Sequence, residues 1–446
     1  MSNLIVTKSA EPSFIERIDI VSNKSQSKTA SVTGGTIRLM YYESILQDSV
    51  KATVTFVDTG NAVDNKTVLE GLPLVGQEKV YLKFRDNNDS TLNIVLYVNK
   101  VTPVIEDTTK SMVQLELVSK EFIMNEKVRL NERFDGKISD HIRKILTNKN
   151  YLTTEKNIDI EETSNNYNFI GNNRKPYYAM NWLSKKAVSA KNQKSGDSAG
   201  YFFFETSEGF KFKSIDGLLA QEKKKSITFN QTPDSRGDNI PAGYDVKALE
   251  YSKDNNVDVQ EKLKMGAFST RTILFDPFSC YYEVITPNAK QVEQSLKLAG
   301  KELPTLNPEF NRNENNKEFS RTTFSLLDKG SLPSGSTKQQ IEKSKEQNFD
   351  PKNILNQSIM RYNQLFSAKS TVTIPGDFSL HAGDAVFIDA KQLAAADEEI
   401  NKEYGGLYII ADLCHYISPR ETYTKLNLVR DSFGRTGNHT SGKIPL

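Results

Sequence analysis

The side chains best suited to chemistry in this chain are carboxylates, which gather in short runs such as Asp159, Glu161 and Glu162. Two carboxylates facing each other across a cleft support acid-base hydrolysis, whereas a run on a solvated surface catalyses nothing. The nearest approach to a nucleophile elbow is Ser334 in the segment Gly330–Gly335, but its spacing does not match the motif. Dinucleotide, phosphate-loop and HExxH motifs are absent from the sequence. We therefore expect no catalytic residue, no cofactor-binding residue, no metal ligand and no enzyme activity.

The cysteines and histidines do not form a metal-binding pattern. Cys280 and Cys414 both lie in apolar, strand-like surroundings without a CxxC motif, and we expect buried, reduced thiols. Cys414 and His415 are adjacent, so on a strand their side chains point to opposite faces. The four histidines are scattered along the chain as His141, His381, His415 and His439.

Composition limits the class of partner. The chain has 446 residues, long enough for roughly two to four domains. Its 58 basic and 56 acidic residues nearly cancel, which argues against a surface built to hold phosphates. The basic runs Lys185–Lys186 and Lys223–Lys225 lack interleaved aromatic residues and are typical of solvated faces. Because no apolar run reaches about 18 residues and no leader pattern follows Met1, we expect neither secretion nor insertion into a membrane.

A strand pair occurs twice, once near each end of the chain. Each apolar position in the second pair lies 311 residues after its counterpart in the first. A Gly-acid-strand unit precedes both pairs, at Gly76–Leu82 and at Gly383–Ile388. Short apolar runs do align by chance, but the shared order and equal spacing favour two copies of one β module. The matching residues are Leu96–Val98, Leu115, Leu117 and Val118 in the first pair, and Leu407–Ile409, Leu426, Leu428 and Val429 in the second.

Strands and turns fill the first module, from Gly34 to Lys120. In its last strand Val113, Leu115 and Leu117 alternate with polar residues, which predicts one buried face. Roughly five or six strands of this length are enough to close into a small barrel. The expected strands are 36–41, 49–57, 80–84, 92–101 and 112–118.

The period changes after Lys120. Ile138, Ile142 and Ile145 have helical spacing, and His141 on the same helix is expected to flank the core. Pro176 suits the first position of a second helix, on which Trp182 is a packing anchor. The segments 200–205 and 209–216 form a β-hairpin pattern, so an α+β insertion is expected.

The second module is interrupted. Strands are expected at 244–251, 270–275 and 281–285, and the polar stretch 307–349 is expected to be a loop or an extended arm. A helix beginning at Asp350 and Pro351 leads into the last strands, which end at Asp431. We divide the chain into a first module at 1–120, an insertion at 121–235, a second module at 236–260 and 360–431, a second insertion at 261–359 and a flexible tail at 432–446.

The second module also resembles a known family through its motifs. It resembles the last barrel of central hub proteins from the baseplates of contractile-tailed phages, especially T-even-like phages, and the amino-terminal part of type VI secretion spike proteins. The first module and the insertion look similar too, so that the resemblance covers residues 30–431. The segments that carry it are Thr373–Val386, Gly406–Ile410 and Thr424–Asp431, with Tyr41–Ile45, Phe56–Asn61, Leu72–Gly76 and Tyr201–Thr206.

This resemblance implies an α+β, mainly β fold with two tail-tube-like antiparallel β-barrel domains and α+β insertions. It implies a homotrimer whose six barrels form a ring between the sixfold tail tube and the threefold central spike. The expected partners are the spike protein and the tube protein, and contacts with tape-measure and baseplate wedge proteins are compatible with it. DNA passes through such a channel without specific binding, which suits the low net charge. The expected location is the virion baseplate, assembled in the host cytoplasm.

The sequence is also compatible with two other functions. A virion-associated cell-wall hydrolase needs an acid-base carboxylate pair in a cleft. A single-strand nucleic-acid binder built from barrels predicts tight, salt-dependent binding of oligonucleotides.

Overall fold

The computed structural model describes fifteen stretches of the chain. They are residues 11–24, 28–60, 63–106, 110–190, 199–229, 244–254, 258–268, 270–277, 279–285, 296–310, 320–328, 336–345, 348, 351–390 and 405–434. The segment around Ser334 and the tail from residue 435 onward lie outside these residues. The polar stretch 307–349 is described in part, and where a loop or an extended arm was expected it contains a strand, Arg321–Leu326, and a helix, Thr337–Lys345.

Strands dominate the described chain, and short helices separate them. The strands are β1 Phe14–Val21, β2 Thr29–Ser31, β3 Thr36–Ser44, β4 Lys51–Asp58, β5 Lys79–Arg85, β6 Thr91–Glu106, β7 Ser111–Val118, β8 Arg133–Phe134, β9 Ile158–Ile160, β10 Phe169–Ile170, β11 Tyr201–Thr206, β12 Gly209–Ser214, β13 Lys225–Phe229, β14 Val246–Lys247, β15 Glu250–Asp254, β16 Thr270–Asp276, β17 Tyr281–Ile285, β18 Arg321–Leu326, β19 Ala368–Pro375, β20 Ala385–Ala390, β21 Gly406–Ile417 and β22 Thr422–Arg430. The helices are α1 Val68–Gly71, α2 Lys120–Lys127, α3 Ile138–Thr147, α4 Pro176–Ser184, α5 Ile215–Leu219, α6 Val259–Met265, α7 Thr337–Lys345 and α8 Pro351–Gln364.

The two modules have the same strand order. In the first module the order is β3-β4-β7-β6-β5-β1-β2, and in the second it is β15-β19-β22-β21-β20-β13-β14. Neighbouring strands are antiparallel throughout the first module. The second differs only at its end, where β13 runs parallel to both β20 and β14. The duplication predicted from the sequence is therefore present as a repeated topology of seven strands.

The two sheets join directly. Residues Leu39 to Ser44 of β3 pair antiparallel with Ile417 to Asp412 of β21, so the modules share one continuous sheet. We call this contact the module seam. No described strand closes either sheet on itself, so the mainly β, α+β fold is confirmed and two closed barrels are not.

Alternation along the strands explains the cores. In β7, Val113, Leu115 and Leu117 are buried, while Gln114 and Glu116 are half-buried on the other face. The first core also takes in Phe378 and Ile417 from the second module. Because the two modules share these apolar contacts across the seam, packing as well as strand pairing fixes one sheet against the other.

The first insertion is built as its sequence pattern predicts. Helix α3 buries Ile138, Ile142 and Ile145 against an aromatic core, and α4 begins at Pro176. The predicted hairpin is β11 paired antiparallel with β12, and β9 adds a parallel strand. Strand β13, which our division places in this insertion, pairs with β20 of the second module.

A small separate sheet lies in the second insertion. Its strand order is β17-β16-β18, with β16 antiparallel to β17 and parallel to β18. Two of the strands predicted from the sequence, 270–275 and 281–285, are its members.

Candidate assembly surfaces

The Gly-acid units begin equivalent strands through the same backbone contacts. In the first module Gln77 N donates to Val98 O at 2.6 Å, and Val98 N donates to Glu78 O at 2.9 Å. In the second module Gly383 N donates to Ile410 O at 2.8 Å, and Ile410 N donates to the Asp384 backbone oxygen at 2.9 Å. Gln77 and Gly383 also share a positive φ, 69° and 86°. The two units are therefore structural copies.

These bonds correct the alignment read from the sequence. Val98 corresponds to Ile410 and not to Ile409, and the strand pairing agrees, because Val98 faces Leu117 while Ile410 faces Leu428. The offset between the modules is 311 residues on the second strand of the pair, β7 and β22. On the first strand, β6 and β21, the offset is one residue longer. Both pairs contain a β-bulge at the matching place, after Val98 and after Ile410.

Aromatic rings fill the module seam. The ring of His415 stacks on Tyr41 with centroids 6.0 Å apart, and Phe378 meets the same imidazole edge-on at 5.0 Å. His415 Nδ1 lies 2.9 Å from Thr424 Oγ1. Burial lowers the pKa of His415 to about 4, so the imidazole is neutral in the folded chain at neutral pH.

Glu43 joins three parts of the chain at the seam. Its Oε1 accepts from the Tyr41 hydroxyl at 2.9 Å and from Ser207 N at 2.7 Å. Its Oε2 accepts from Ala382 N at 2.9 Å, and His381 Nδ1 lies 3.4 Å from Oε1. Burial alone raises the pKa of Glu43, but His381 and the two backbone donors outweigh it and lower the pKa to about 2. The carboxylate is ionised and serves as a structural link between β3, the β11–β12 turn and the second module.

A buried arginine ties the α8 helix to two other elements. Arg361 is 1% exposed, and it donates to Asp431 Oδ2 at 2.9 Å and to Asp216 Oδ1 at 2.8 Å. It also donates to the backbone oxygen of Lys297 at 3.0 Å. Since Asp216 belongs to α5 and Asp431 follows β22, one guanidinium connects the first insertion with the end of the second module.

The small sheet presents an apolar face to solvent. Strand pairing aligns Val284, Ile273 and Phe324 in one row across the face, and Tyr282, Phe275 and Leu326 in the next. Phe324 is 79% exposed, Leu326 65% and Tyr282 62%. All of these residues except Val284 line a groove of about 520 Å³. We call these six residues the outer apolar face, and a contiguous exposed apolar surface of this kind is typical of a site that another protein covers.

The predicted carboxylate run is used for structure. Asp159 binds Lys213 at 2.6 Å, and Glu162 binds Arg143 at 3.1 Å. Glu161 is buried and accepts from Ser189 Oγ and Ser214 Oγ, both at 2.8 Å. The structure therefore places these carboxylates in ion pairs and turns.

Both cysteines are free, as the sequence predicts, but the expectation that they are buried was wrong. Cys280 is exposed in the turn before β17, and Cys414 is half-buried on β21 opposite Tyr42. Burial raises the pKa of the Cys414 thiol to about 11, so it is protonated at neutral pH. Apolar neighbours in sequence indicated the strand of Cys414 correctly but not which of its faces is covered, and for Cys280 they indicated a strand where the chain forms a turn.

His141 packs in the core of the first insertion. His141 Nε2 lies 2.8 Å from Tyr167 O, and its ring meets Phe134 and Phe169 edge-on. Among the described residues no group of three or more His, Cys, Asp or Glu side chains is arranged to hold a metal ion.

The basic runs are held by local partners. Lys186 lies over the rings of Tyr167 and Trp182, and burial lowers its pKa to about 8. Lys224 binds Asp384 at 2.8 Å, and Lys225 lies 3.4 Å from Asp377. None of the helices in the described ranges is long and apolar enough to span a bilayer.

Comparison with solved structures identifies the fold. The chain superposes on a tail protein from Neisseria meningitidis with a TM-score of 0.52 at 8% sequence identity, covering 93% of this chain and 96% of that chain. A prophage MuSo2 43 kDa tail protein from Shewanella oneidensis gives 0.49 at 10% identity, covering 93% and 98%. A type VI secretion component of E. coli, described as similar to T4 bacteriophage tail proteins gp27 and gp5, gives 0.45 at 9% identity, covering 96% and 80%. No protein-family model matches the chain, and neither does any curated protein sequence.

The chain therefore has the fold of the Neisseria meningitidis tail protein along nearly its full length. This confirms the resemblance to tail proteins at the level of the fold.

Sequence reasoning missed the residues that connect the modules. Glu43 and Arg361 are single charged residues in otherwise ordinary segments, and nothing in their spacing distinguishes them. The outer apolar face was missed for a different reason. Its rows combine three strands, and β18 lies in a stretch whose overall composition is polar. The only available signal was the alternation of Thr322, Phe324 and Leu326 with polar residues.

Proposed function

We propose that this protein is a structural virion protein, the trimeric central hub of a contractile-tail baseplate. Three chains form a pseudo-hexameric ring that adapts the sixfold tail tube to the threefold central spike and nucleates tail assembly. The observation that carries the proposal is the repeated order of seven strands joined by the module seam. A chain with two like modules presents six similar surfaces when three copies close a ring.

The parts that are not repeated give the ring its threefold character. The outer apolar face occurs once per chain, in the second insertion, and so presents three equal surfaces in a trimer. Covering Phe324, Leu326 and Tyr282 would remove apolar area from water and stabilise the assembly. We assign this face to contacts with the central spike, and the strand-rich ring to contacts with the tube.

The remaining expectations are part of the same proposal. In the domain division given above, the two modules, with β13 paired into the second, form the ring. The two insertions lie outside the ring. The chain acts without a catalytic, cofactor or metal site, at the baseplate of the virion and after assembly in the host cytoplasm. The chain has 58 basic and 56 acidic residues, and this low net charge suits a channel through which DNA passes without specific binding. Tape-measure and baseplate wedge proteins are further neighbours.

Mass and shape test the proposal most directly. Purified protein, alone and mixed with its spike, is measured by light scattering and imaged by averaged electron microscopy. A threefold ring in either sample supports the hub, and a stable monomer in both overturns it.

One activity assay and one binding assay test the two other functions. Release of dye-labelled peptidoglycan at ordinary enzyme levels would replace the hub with a hydrolase. Tight binding of oligonucleotides near physiological salt would favour a nucleic-acid binder, and we expect none.

A further inference from the structure

We infer that the module seam recurs between neighbouring chains, with the far half of β6 in one copy pairing antiparallel with β15 of the next. The far half of β6 means residues 100–106, which extend beyond the segment paired with β5. The inference rests on the trimer of the proposed function and names the surfaces that would close it.

The first partner in the seam, β3, has a counterpart in β15. Both strands begin the order of their module, and both pair antiparallel with the next strand, β4 or β19. Leu39 faces Val54 in the first module, and Tyr251 faces Val372 in the second. Val54 and Val372 in turn face the equivalent residues of β7 and β22. Leu39 therefore corresponds to Tyr251, and by the same count Met40 corresponds to Ser252.

The second partner in the seam, the far half of β21, has a counterpart in the far half of β6. Both follow a β-bulge and belong to the fourth strand in the order of their module, where they pair with β7 or with β22. Thr102 faces Gln114 and Cys414 faces Lys425, and these two partners are 311 residues apart. Thr102 therefore corresponds to Cys414, and one step beyond the second bulge Ile105 corresponds to Tyr416.

The far half of β6 is an edge strand of the described sheet. Among the strands of the described chain only β7 runs beside it, whereas its counterpart in β21 lies between β22 and β3. Val104 is 50% exposed and Ile105 is 52% exposed. Pro103 stands where the second module has His415, and a proline within a strand is typical of a sheet edge because it brings no backbone N–H.

The seam fixes the register between chains. Within a chain Met40 faces Tyr416, which places Ser252 of one copy opposite Ile105 of the next. Tyr42 faces Cys414, which places Asp254 opposite Thr102. If the same strand pairing occurs between every two adjacent modules, the ring closes with six similar seams. Three of these seams lie within chains and three lie between chains.

Cysteine cross-linking tests this register in the full-length protein. In a background carrying Cys280→Ser and Cys414→Ser, the variant Ile105→Cys with Ser252→Cys is oxidised with diamide. Residues directly opposite on antiparallel strands lie within disulfide reach. We expect a ladder of covalent dimers and trimers on denaturing gels, and the same ladder from Thr102→Cys with Asp254→Cys.

The chain offers matched controls. Ile105→Cys with Glu250→Cys shifts one partner by two residues along the same face, and should cross-link roughly tenfold less because the diagonal distance exceeds disulfide reach. Tyr42→Cys with the native Cys414, in a Cys280→Ser background, should form a disulfide within the chain, so that the protein still runs as a monomer on a denaturing gel.

The outcomes separate this inference from the proposed function. A trimer by light scattering that cross-links at both in-register pairs supports the inference. A trimer that fails at both pairs, while the Tyr42 control succeeds, overturns the inference and leaves the hub proposal standing. A protein that stays monomeric with its spike overturns both.

Discussion

Replacing Glu43 by Gln tests whether the module seam depends on an ionised carboxylate. The substitution keeps the size of the side chain but removes the charge beside His381, and it turns an amide donor toward Ser207 N or Ala382 N. A pKa lowered from 4.5 to about 2 corresponds to about 3 kcal/mol in favour of the ionised form. Because Gln resembles the protonated acid, we expect Glu43→Gln to lower the free energy of unfolding at neutral pH by about 3 kcal/mol.

The pH dependence gives the prediction its sign. The folded pKa of Glu43 is depressed, so its contribution is present above pH 4.5 and is lost as the pH falls toward 2. The folded pKa of His381 is raised: burial opposes this, and the Glu43 carboxylate overcomes it. The contribution of His381 is therefore complete below pH 6.5 and is lost as the pH rises through its folded pKa. In Glu43→Gln the loss of stability above pH 6.5 that is due to His381 should largely disappear.

Urea unfolding followed by circular dichroism, at a series of pH values, measures both effects. Glu116→Gln is the control, because Glu116 forms a surface pair with Lys100 at 3.4 Å and should cost under about 1 kcal/mol. The reasoning is refuted if Glu43→Gln costs no more than Glu116→Gln, or if its stability falls above pH 6.5 as steeply as that of the unsubstituted protein.

Four further changes test other parts of the structure. Arg361→Met should cost about 3 kcal/mol or more in urea unfolding, because it leaves two buried carboxylates without their cation; an unchanged midpoint contradicts this. Gly209→Ala should cost roughly 2 kcal/mol or more by the same assay, because φ is +131° and a Cβ would lie 2.2 Å from a backbone oxygen, whereas Gly34→Ala has open space and should be neutral. Phe324→Asp should leave the melting temperature within about 2 °C and abolish association with the spike in light scattering; retained association argues against the outer apolar face as the docking surface. His415→Phe should flatten the loss of stability between pH 6.5 and pH 4, since a folded pKa of about 4 penalises protonation by up to about 3 kcal/mol; an unchanged acid limb excludes His415 as its source.

Local pattern was enough to locate most elements of the fold. The alternation in Ser111–Val118 and the proline at Pro176 predicted a strand and a helix start that the structure contains. The aromatic runs of the β11–β12 hairpin were equally clear. These signals work because backbone periodicity and proline geometry act within a few residues.

The candidate surfaces were less accessible from sequence. The duplication was visible, but its first strand was aligned one residue out, because the register is set by the hydrogen bonds of Glu78 and Asp384 with partners about 20 to 26 residues away. The exposure of Cys280 was missed because its apolar neighbours in sequence suggested a strand, whereas the residue lies in the turn before β17.

By itself, the sequence determined a mainly β chain with two related modules and an α+β insertion between them. Only the tertiary structure decided that β3 pairs with β21, that Glu43 is ionised at that seam, and that three strands assemble an exposed apolar face. The reason is physical. Alternation prepares a strand to pair with any neighbour, and the choice of neighbour depends on burial and hydrogen bonds between segments hundreds of residues apart.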